Sequence, residues 1–432
     1  MLEKYKLKNG ATVLLDHVDG VRSASIGLWF RAGSRDETPQ EAGAAHFIEH
    51  MLFKGTASLS SAELAGRMDD IGAEANAFTS RDCTNYYMRV LDKRMPEAAE
   101  LLADMLFNSR FDVGDMSTER GVILDEMRMY EDMPDDVANE MLVRTCFPGA
   151  LGAPVLGSRE SVEALTRSGL LGFKSRHYAG PGTVLAVSGR FDDGDASALA
   201  DRLAALPAEP AAAPERAEYT PGIALEGRDT EQNQLLLAFP GITYGSGERP
   251  AMAIMNTILG GSASSRLYTR LRDELGLCYD LESFDMTYAD TGLVGIGAAT
   301  SAGNEQRALR EITDGLRRFL DEGPSDSELA RKGPGRVRRG DCAREHAGAY
   351  APDGAERALP RPRGQHRRGG GALQCRHAGG RAGLRPAHLR LLAPVRCGAG
   401  QGARPGRVRG AASAVRNKQS RAGWEKLPPG AA

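Results

Sequence analysis

Two histidines and a glutamate stand inside the apolar run GAAHFIEHMLFKGT, residues 43–56. Residues three and four apart share one face of a helix, so His46, Glu49 and His50 project together. Imidazoles at i and i+4 can bind one divalent metal through their neutral nitrogens. Glu49 then stands beside the metal, unliganded, where it can act as general base toward a metal-bound water. A lone histidine on an apolar helix face is usually a packed core residue. Two of them with a carboxylate at this spacing favour a metal.

A catalytic zinc site needs a third protein ligand and an open position for water. The segment MSTERGVILDEMRMYED supplies Glu119 and Glu126, two helical turns apart and bordered by Ile123 and Met127. Carboxylates in such partly apolar surroundings are costly to bury unpaired, and a metal with two histidines resolves that cost. Glu126 is therefore read as the third ligand. Glu119 is read as the acid that orients a ligand imidazole and fixes its tautomer. His17 and His177 have no partners at ligand spacing and read as structural.

The elements that must position these residues can be read on either side of them. Strands flank the turn Asn9-Gly10 as a hairpin, and SASIGLWFRA (23–32) alternates like a half-buried strand. The metal-bearing helix follows. A second helix starts on the capping box Ser60/Glu63 and stops at Gly72. AEANAFTS and CTNYYMRVL read as paired strands, followed by helices near 95–108 and 115–132 and by the apolar strand GTVLAVSGRF (182–191). A Pro/Ala-rich stretch (206–222) reads as a linker. The order strand–helix–helix–strand–strand–helix then repeats between about 232 and 321. The expected fold is α+β: two related domains, each a mixed, mostly antiparallel sheet packed with helices. The boundaries are 1–210 for the zinc-binding domain, 211–222 for the linker and 223–330 for the second, incomplete domain.

At 432 residues the chain is too long for one ordinary core. Its net charge of −2 hides an asymmetry. Residues 331–432 hold 23 basic and 5 acidic side chains, and the preceding 330 hold 32 and 52. The last 102 residues contain 20 Arg, 19 Gly, 19 Ala and 9 Pro, with no Ile, Phe or Met. Such a composition cannot bury enough apolar surface to offset its ordering entropy. The preferred reading is the product of a reading-frame shift in a GC-rich gene; the other is a basic tail. A nucleic-acid partner is not expected, because aromatic interleaving is nearly absent. No signal core precedes the first strand and no segment approaches 18 consecutive apolar residues, so no membrane partner is expected. Six scattered cysteines without a CxxC pair favour a reduced, cytoplasmic setting.

From WFRAGSRDE through HFIEHMLFKGT, ANAFTSRDCTNYYMRVL and ERGVILDEMRMYEDMPDD to GGSASSRLYTRLRDELGLCYDLESF, the chain resembles the pitrilysin family. These zinc peptidases, called inverzincins for HxxEH, include the mitochondrial processing peptidases and bacterial relatives. The resemblance covers about residues 2–330. It implies one Zn2+ per chain on His46, His50 and Glu126, with Glu49 as base and Glu119 behind the ligands. It also implies that EANAFTS receives substrate as an added strand. Asn76 and Ala77 would give main-chain hydrogen bonds there, and Phe78 a side-chain wall. In the second domain, Arg272 and Tyr279 match a pair that reaches across the chamber toward substrate and oxyanion. The implied activity is endopeptidase action on extended or unfolded peptides, in a homodimer or a heterodimer with a homologous subunit. The alternatives are a non-catalytic partner subunit and an inactive relic of a frameshifted gene.

Overall fold

The computed structural model of the protein describes residues 2–332 and the backbone of a short strand at Val395–Cys397. The rest of the basic segment, and with it the frame-shift and tail readings, lies outside the described residues.

The first sheet has six strands: β1 (Leu2–Lys6), β2 (Thr12–His17), β3 (Ser23–Phe30), β4 (Glu74–Thr79), β5 (Thr84–Leu91) and β6 (Thr183–Gly189). Their order is β1-β2-β6-β3-β5-β4, parallel only between β2 and β6. The β1–β2 hairpin turns where Gly10 adopts φ +90°, a conformation glycine enters without a Cβ penalty. β3 buries Ala24, Ile26, Leu28 and Phe30 at alternating positions, as a period of two requires.

Helices α1 (Ala44–Leu52), α2 (Ser61–Asp70), α3 (Met95–Asn108) and α4 (Val113–Glu131) cover this sheet. The expected capping box is present. Ser60 Oγ accepts from Glu63 N–H, and Glu63 returns a bond to Ser60. Further helices, which the sequence reading left unassigned, are α5 (Pro134–Cys146), α6 (Arg159–Ala164), α7 (Arg167–His177) and α8 (Asp193–Leu203). The core beneath α1 includes Phe47, Ile48, Met51, Met88, Leu102 and Phe173.

The repeat seen in the sequence is present. After β7 (Gln232–Pro240) come α9 (Arg249–Leu259), then α10 (Arg266–Tyr268) continued by a π-helical turn at Thr269–Glu274. The antiparallel hairpin β8 (Cys278–Thr287) and β9 (Gly292–Ser301) follows, with α11 (Glu305–Glu322) and α12 (Asp326–Lys332) after it. With β10 (Val395–Cys397) the second sheet runs β10-β7-β9-β8, antiparallel throughout the described strands.

The stretch between α8 and β7 carries no helix or strand, yet it is not a free tether. Tyr219 donates its hydroxyl to the Ala238 carbonyl at 2.9 Å, and Ala217 N–H reaches Asp290 at 3.0 Å. α5 leaves the first core and packs Met141, Leu142 and Val143 against Leu236, Ala238 and Leu293 of the second sheet. Buried Arg35 bridges the halves. Its guanidinium binds Asp82 at the β4–β5 turn (2.9 Å) and Asp290 at the β8–β9 turn (2.8 Å, twice), and donates to the Glu215 carbonyl. Such a forked, charge-assisted contact fixes geometry as well as energy.

Candidate metal centre

α1 starts in an unusual way. Its N-cap is Gly43, which has no side chain to offer and sits at φ +89°. A Cβ there would come within 2.7 Å of the Leu156 carbonyl oxygen. Glu37 does the capping from upstream. One carboxyl oxygen accepts Gly43 N–H and the other Ala45 N–H, each at 2.8 Å. Burial pushes the Glu37 carboxyl up to about 8, while these two backbone bonds pull the other way. This clamp fixes the helix that carries both imidazoles, by satisfying amides that a helix start leaves orphaned.

α1 then turns His46, Glu49 and His50 toward α4, which packs beside it. Nε2 of His46 and Nε2 of His50 each lie 3.7 Å from Oε2 of Glu126. One donor atom from each of these three residues lies within 4.8 Å of the others. Donors bound about 2.0–2.1 Å from a tetrahedral zinc stand roughly 3.3–3.4 Å apart, so a small contraction would close the set around one ion. His46, His50 and Glu126 are the residues that fit a metal here.

Glu119 sits against His50 and Lys54. It is 3 % exposed, and its Oε2 is 3.0 Å from Nδ1 of His50. A proton on that Nδ1 leaves Nε2 free to face the donor cluster. The other Glu119 oxygen is 2.7 Å from Nζ of Lys54, which answers the carboxylate's burial with a cation. His46 has no such support: its Nδ1 is buried and unpartnered among the described residues. Burial, reinforced by neighbouring His50, drops His46 to about 3, so it is neutral at pH 7, as a ligand must be. Burial raises the Glu126 carboxyl, and neighbouring His50 opposes that rise. A cation held among these groups would favour the ionised carboxylate and remove much of that cost.

Glu49 faces the same side as the two imidazoles and accepts a hydrogen bond from Thr79 Oγ1 at 2.5 Å. Burial raises its carboxyl, against the pull of Thr79 and His50. Thr79 ends β4, one of the two edge strands of the first sheet. On that open edge Ala77 N–H is taken by the Oδ1 of Asn76 at 2.8 Å. Phe78 lies on the opposite face of β4 from Ala77 and is partly buried. Arg272 sits in the π-helical turn, its guanidinium over the rings of Tyr268 (4.8 Å) and Tyr279 (5.3 Å). Tyr279 is 74 % exposed. No hydrogen bond or ion pair among the described residues joins Arg272 or Tyr279 to the donor cluster.

Sequence reasoning missed Glu37, Lys54 and Thr79. Lys54 had a usable signal, because it follows His50 by four residues at the end of the helix. Glu37 and Thr79 reach α1 only through the tertiary fold.

A helix with HxxEH, faced by a second helix with an acid near ligand distance and set over a mixed sheet, defines an α+β protein with a candidate metal centre. Known proteins share its sequence and fold. Residues 12–159 match the family described as Insulinase (Peptidase family M16), and residues 164–332 match the one described as Peptidase M16 inactive domain. An uncharacterized zinc protease of Streptomyces coelicolor is 37 % identical over 337 residues, 75 % of this chain and 73 % of that protein. One of Bacillus subtilis is 34 % identical over 331 residues, 76 % of this chain and 81 % of that protein. The crystal structure of a peptidase M16 inactive domain from Pseudomonas fluorescens shares the fold. Its TM-score is 0.77 at 22 % identity, over 93 % of this chain and 98 % of that one. The chain belongs to peptidase family M16, the insulinase family. The second family match begins at residue 164, but β6 lies inside the first sheet. Among the described residues, no helix is long and apolar enough to cross a membrane.

Proposed function

We propose that the chain is a zinc metalloendopeptidase that hydrolyses peptide bonds in extended or unfolded peptides. The observation that carries this reading is the convergence of His46, His50 and Glu126 with an unliganded acid, Glu49, on the same helix face. Zinc, when bound, lowers the pKa of a coordinated water and polarises a carbonyl. The protein's own residues do the rest. His46, His50 and Glu126 hold the metal, and Glu119 and Lys54 fix the ring of His50. Glu49 takes the water's proton on a carboxylate oxygen and passes it to the departing amine. The open edge of β4 accepts the peptide as an added strand through main-chain groups at Asn76 and Ala77, with Phe78 beside it. Strand addition selects an extended backbone without demanding one sequence. The Ala77 amide that Asn76 now occupies is the donor such a strand would take over.

Arg272 and Tyr279 are assigned to substrate and oxyanion contacts made when a second homologous half closes over the site. That half comes from another copy of this chain or from a homologous subunit. A phenol 74 % exposed and stacked on a guanidinium is a polar pair with a free surface to offer.

The test is cleavage of an internally quenched, unstructured peptide by the zinc-loaded chain. Glu49→Gln should lose about 10²- to 10⁴-fold in kcat while retaining stoichiometric zinc. Full activity in that variant removes Glu49 as the base, and an inactive, zinc-free wild type removes the peptidase reading itself.

A further inference from the structure

Glu49 is held by a strand, and that strand lies at an edge of the first sheet. Thr79 donates its hydroxyl to Glu49 Oε2 from the last position of β4. Side chains alternate along a strand, so Ala75, Ala77 and Thr79 share one face. Ala75 and Ala77 pack on the core beneath α1, and Thr79 meets the helix at Glu49. Main-chain groups alternate too. Ala77 turns its N–H to the open edge, where only the Asn76 side chain meets it, and the residue two further on turns the same way. Thr79 thus shows its backbone to whatever pairs with β4 and its hydroxyl to Glu49.

The corner behind it is rigid. Thr79 pairs with Thr84 on β5, and buried Thr84 donates to the Ala32 carbonyl at 2.8 Å. Ser80 closes the turn onto Cys83, and its carbonyl accepts Ser34 N–H at 3.1 Å. A β-branched side chain has restricted χ1 freedom, so the hydroxyl has few other directions to take.

We propose that Thr79 is a positioning residue that couples pairing of a peptide along β4 to the placement of the Glu49 carboxylate. The proposal rests on the reading of Glu49 as base and of β4 as receiving strand. With one carboxyl oxygen anchored by Thr79, the Glu49 carboxylate is held in place on the helix that carries His46 and His50. A peptide whose pairing orders the Thr79 backbone also orders its hydroxyl, and through it the carboxylate.

The test uses the full chain, zinc-loaded, with Thr79→Val to delete the hydroxyl at nearly constant shape and Thr79→Ser to restore it. Zinc content and crystal structures are recorded beside kinetics on two quenched peptides. One is about ten residues long and spans β4; the other has about four residues and does not. Thr79→Val should lower kcat on the long peptide about 10- to 100-fold, as expected for a misplaced group, with KM and zinc content nearly unchanged. Thr79→Ser should recover most of the loss. The advantage of the long peptide in kcat should shrink in Thr79→Val. In the crystals the Glu49 carboxylate should leave its place in Thr79→Val and keep it in Thr79→Ser. An undisturbed carboxylate, or wild-type kcat in Thr79→Val, overturns the proposal. If the wild type cleaves neither peptide, the peptidase reading falls, and the carboxylate position still decides whether Thr79 places Glu49.

Discussion

The two halves of the chain share one order of three strands inside unlike sheets, six mixed strands against four antiparallel ones, and they differ in what one helix carries. In the first sheet β3, β5 and β4 lie side by side; in the second, β7, β9 and β8 do the same. α1 follows β3, and α9 occupies the same place after β7. α1 carries His46, Glu49 and His50 beside its buried apolar residues, whereas α9 (RPAMAIMNTIL) carries no histidine or acid and buries Met252, Met255, Ile258 and Leu259. The sheet order tolerates both. Position is set by strand pairing and helix packing, and the chemistry is added by three side chains and the acids α4 brings to them. The first half carries an added burden. Five ionisable groups, His46, Glu49, His50, Glu119 and Glu126, sit together in partly apolar surroundings, and each needs a partner or a metal to remain there. The second half has no such group on α9.

The comparison breaks most visibly at the ligands. His50→Ala removes a donor and leaves Glu119 with Lys54 alone, so zinc binding and peptide cleavage should both fall at least about 10³-fold. The measurements are zinc competition against a chromogenic chelator and quenched-peptide kinetics. Stoichiometric zinc at wild-type affinity in this variant would transfer the site elsewhere. The matching substitution in the second half should do the opposite. Met255 is 3 % exposed in the core. Met255→Ala should cost about 2–5 kcal/mol of stability, read by urea denaturation, and leave the zinc affinity of the folded protein unchanged. A parallel loss of zinc would show that the halves share more than the Arg35 bridge and the α5 contacts.

A subtler change sharpens the same contrast. Glu119→Gln keeps shape but gives up the charge that answers Lys54 and orients His50. Outer partners of this type are worth about 10- to 100-fold in metal affinity, and that loss is expected with the backbone intact by circular dichroism. No change would reduce Glu119 to a buried partner of Lys54.

Much of this was legible before any coordinates. HxxEH lies within one helix, and Glu119 and Glu126 are two turns apart on another, so local periodicity places each pair on a face. The capping box at Ser60 and the turn at Gly10 are equally local. What the pattern did not contain is contact between distant segments. The cap on α1 comes from Glu37, beyond a non-helical turn, and the hydroxyl on Glu49 from Thr79, thirty residues on. The Pro/Ala-rich stretch reads as flexible from composition, but Tyr219, Ala217 and the Glu215 carbonyl tie it to both halves. A histidine's spacing predicts its neighbours on a helix. It does not predict which strand will lie beneath.

The smallest expected effect concerns the end of the second half, where α12 is held by Arg266. The guanidinium binds both oxygens of Glu328 at 2.7 Å and also donates to the Gly323 carbonyl at 2.8 Å. The Arg266 bonds lower the Glu328 carboxyl to about 2, from an ordinary value near 4.3. A carboxyl whose pKa is lower in the folded state stabilises above its unfolded value. That contribution fades as pH falls through the window toward the folded value. Wild type should therefore exceed Glu328→Gln by about 1 kcal/mol near neutrality, in keeping with a partly exposed ion pair. The gap should narrow as pH drops below about 4.5. Urea midpoints of the two proteins between pH 7 and 3.5 measure it. A gap independent of pH would mean that α12 is held by packing and the Gly323 contact, and that the second half, unlike the first, owes little to its charges.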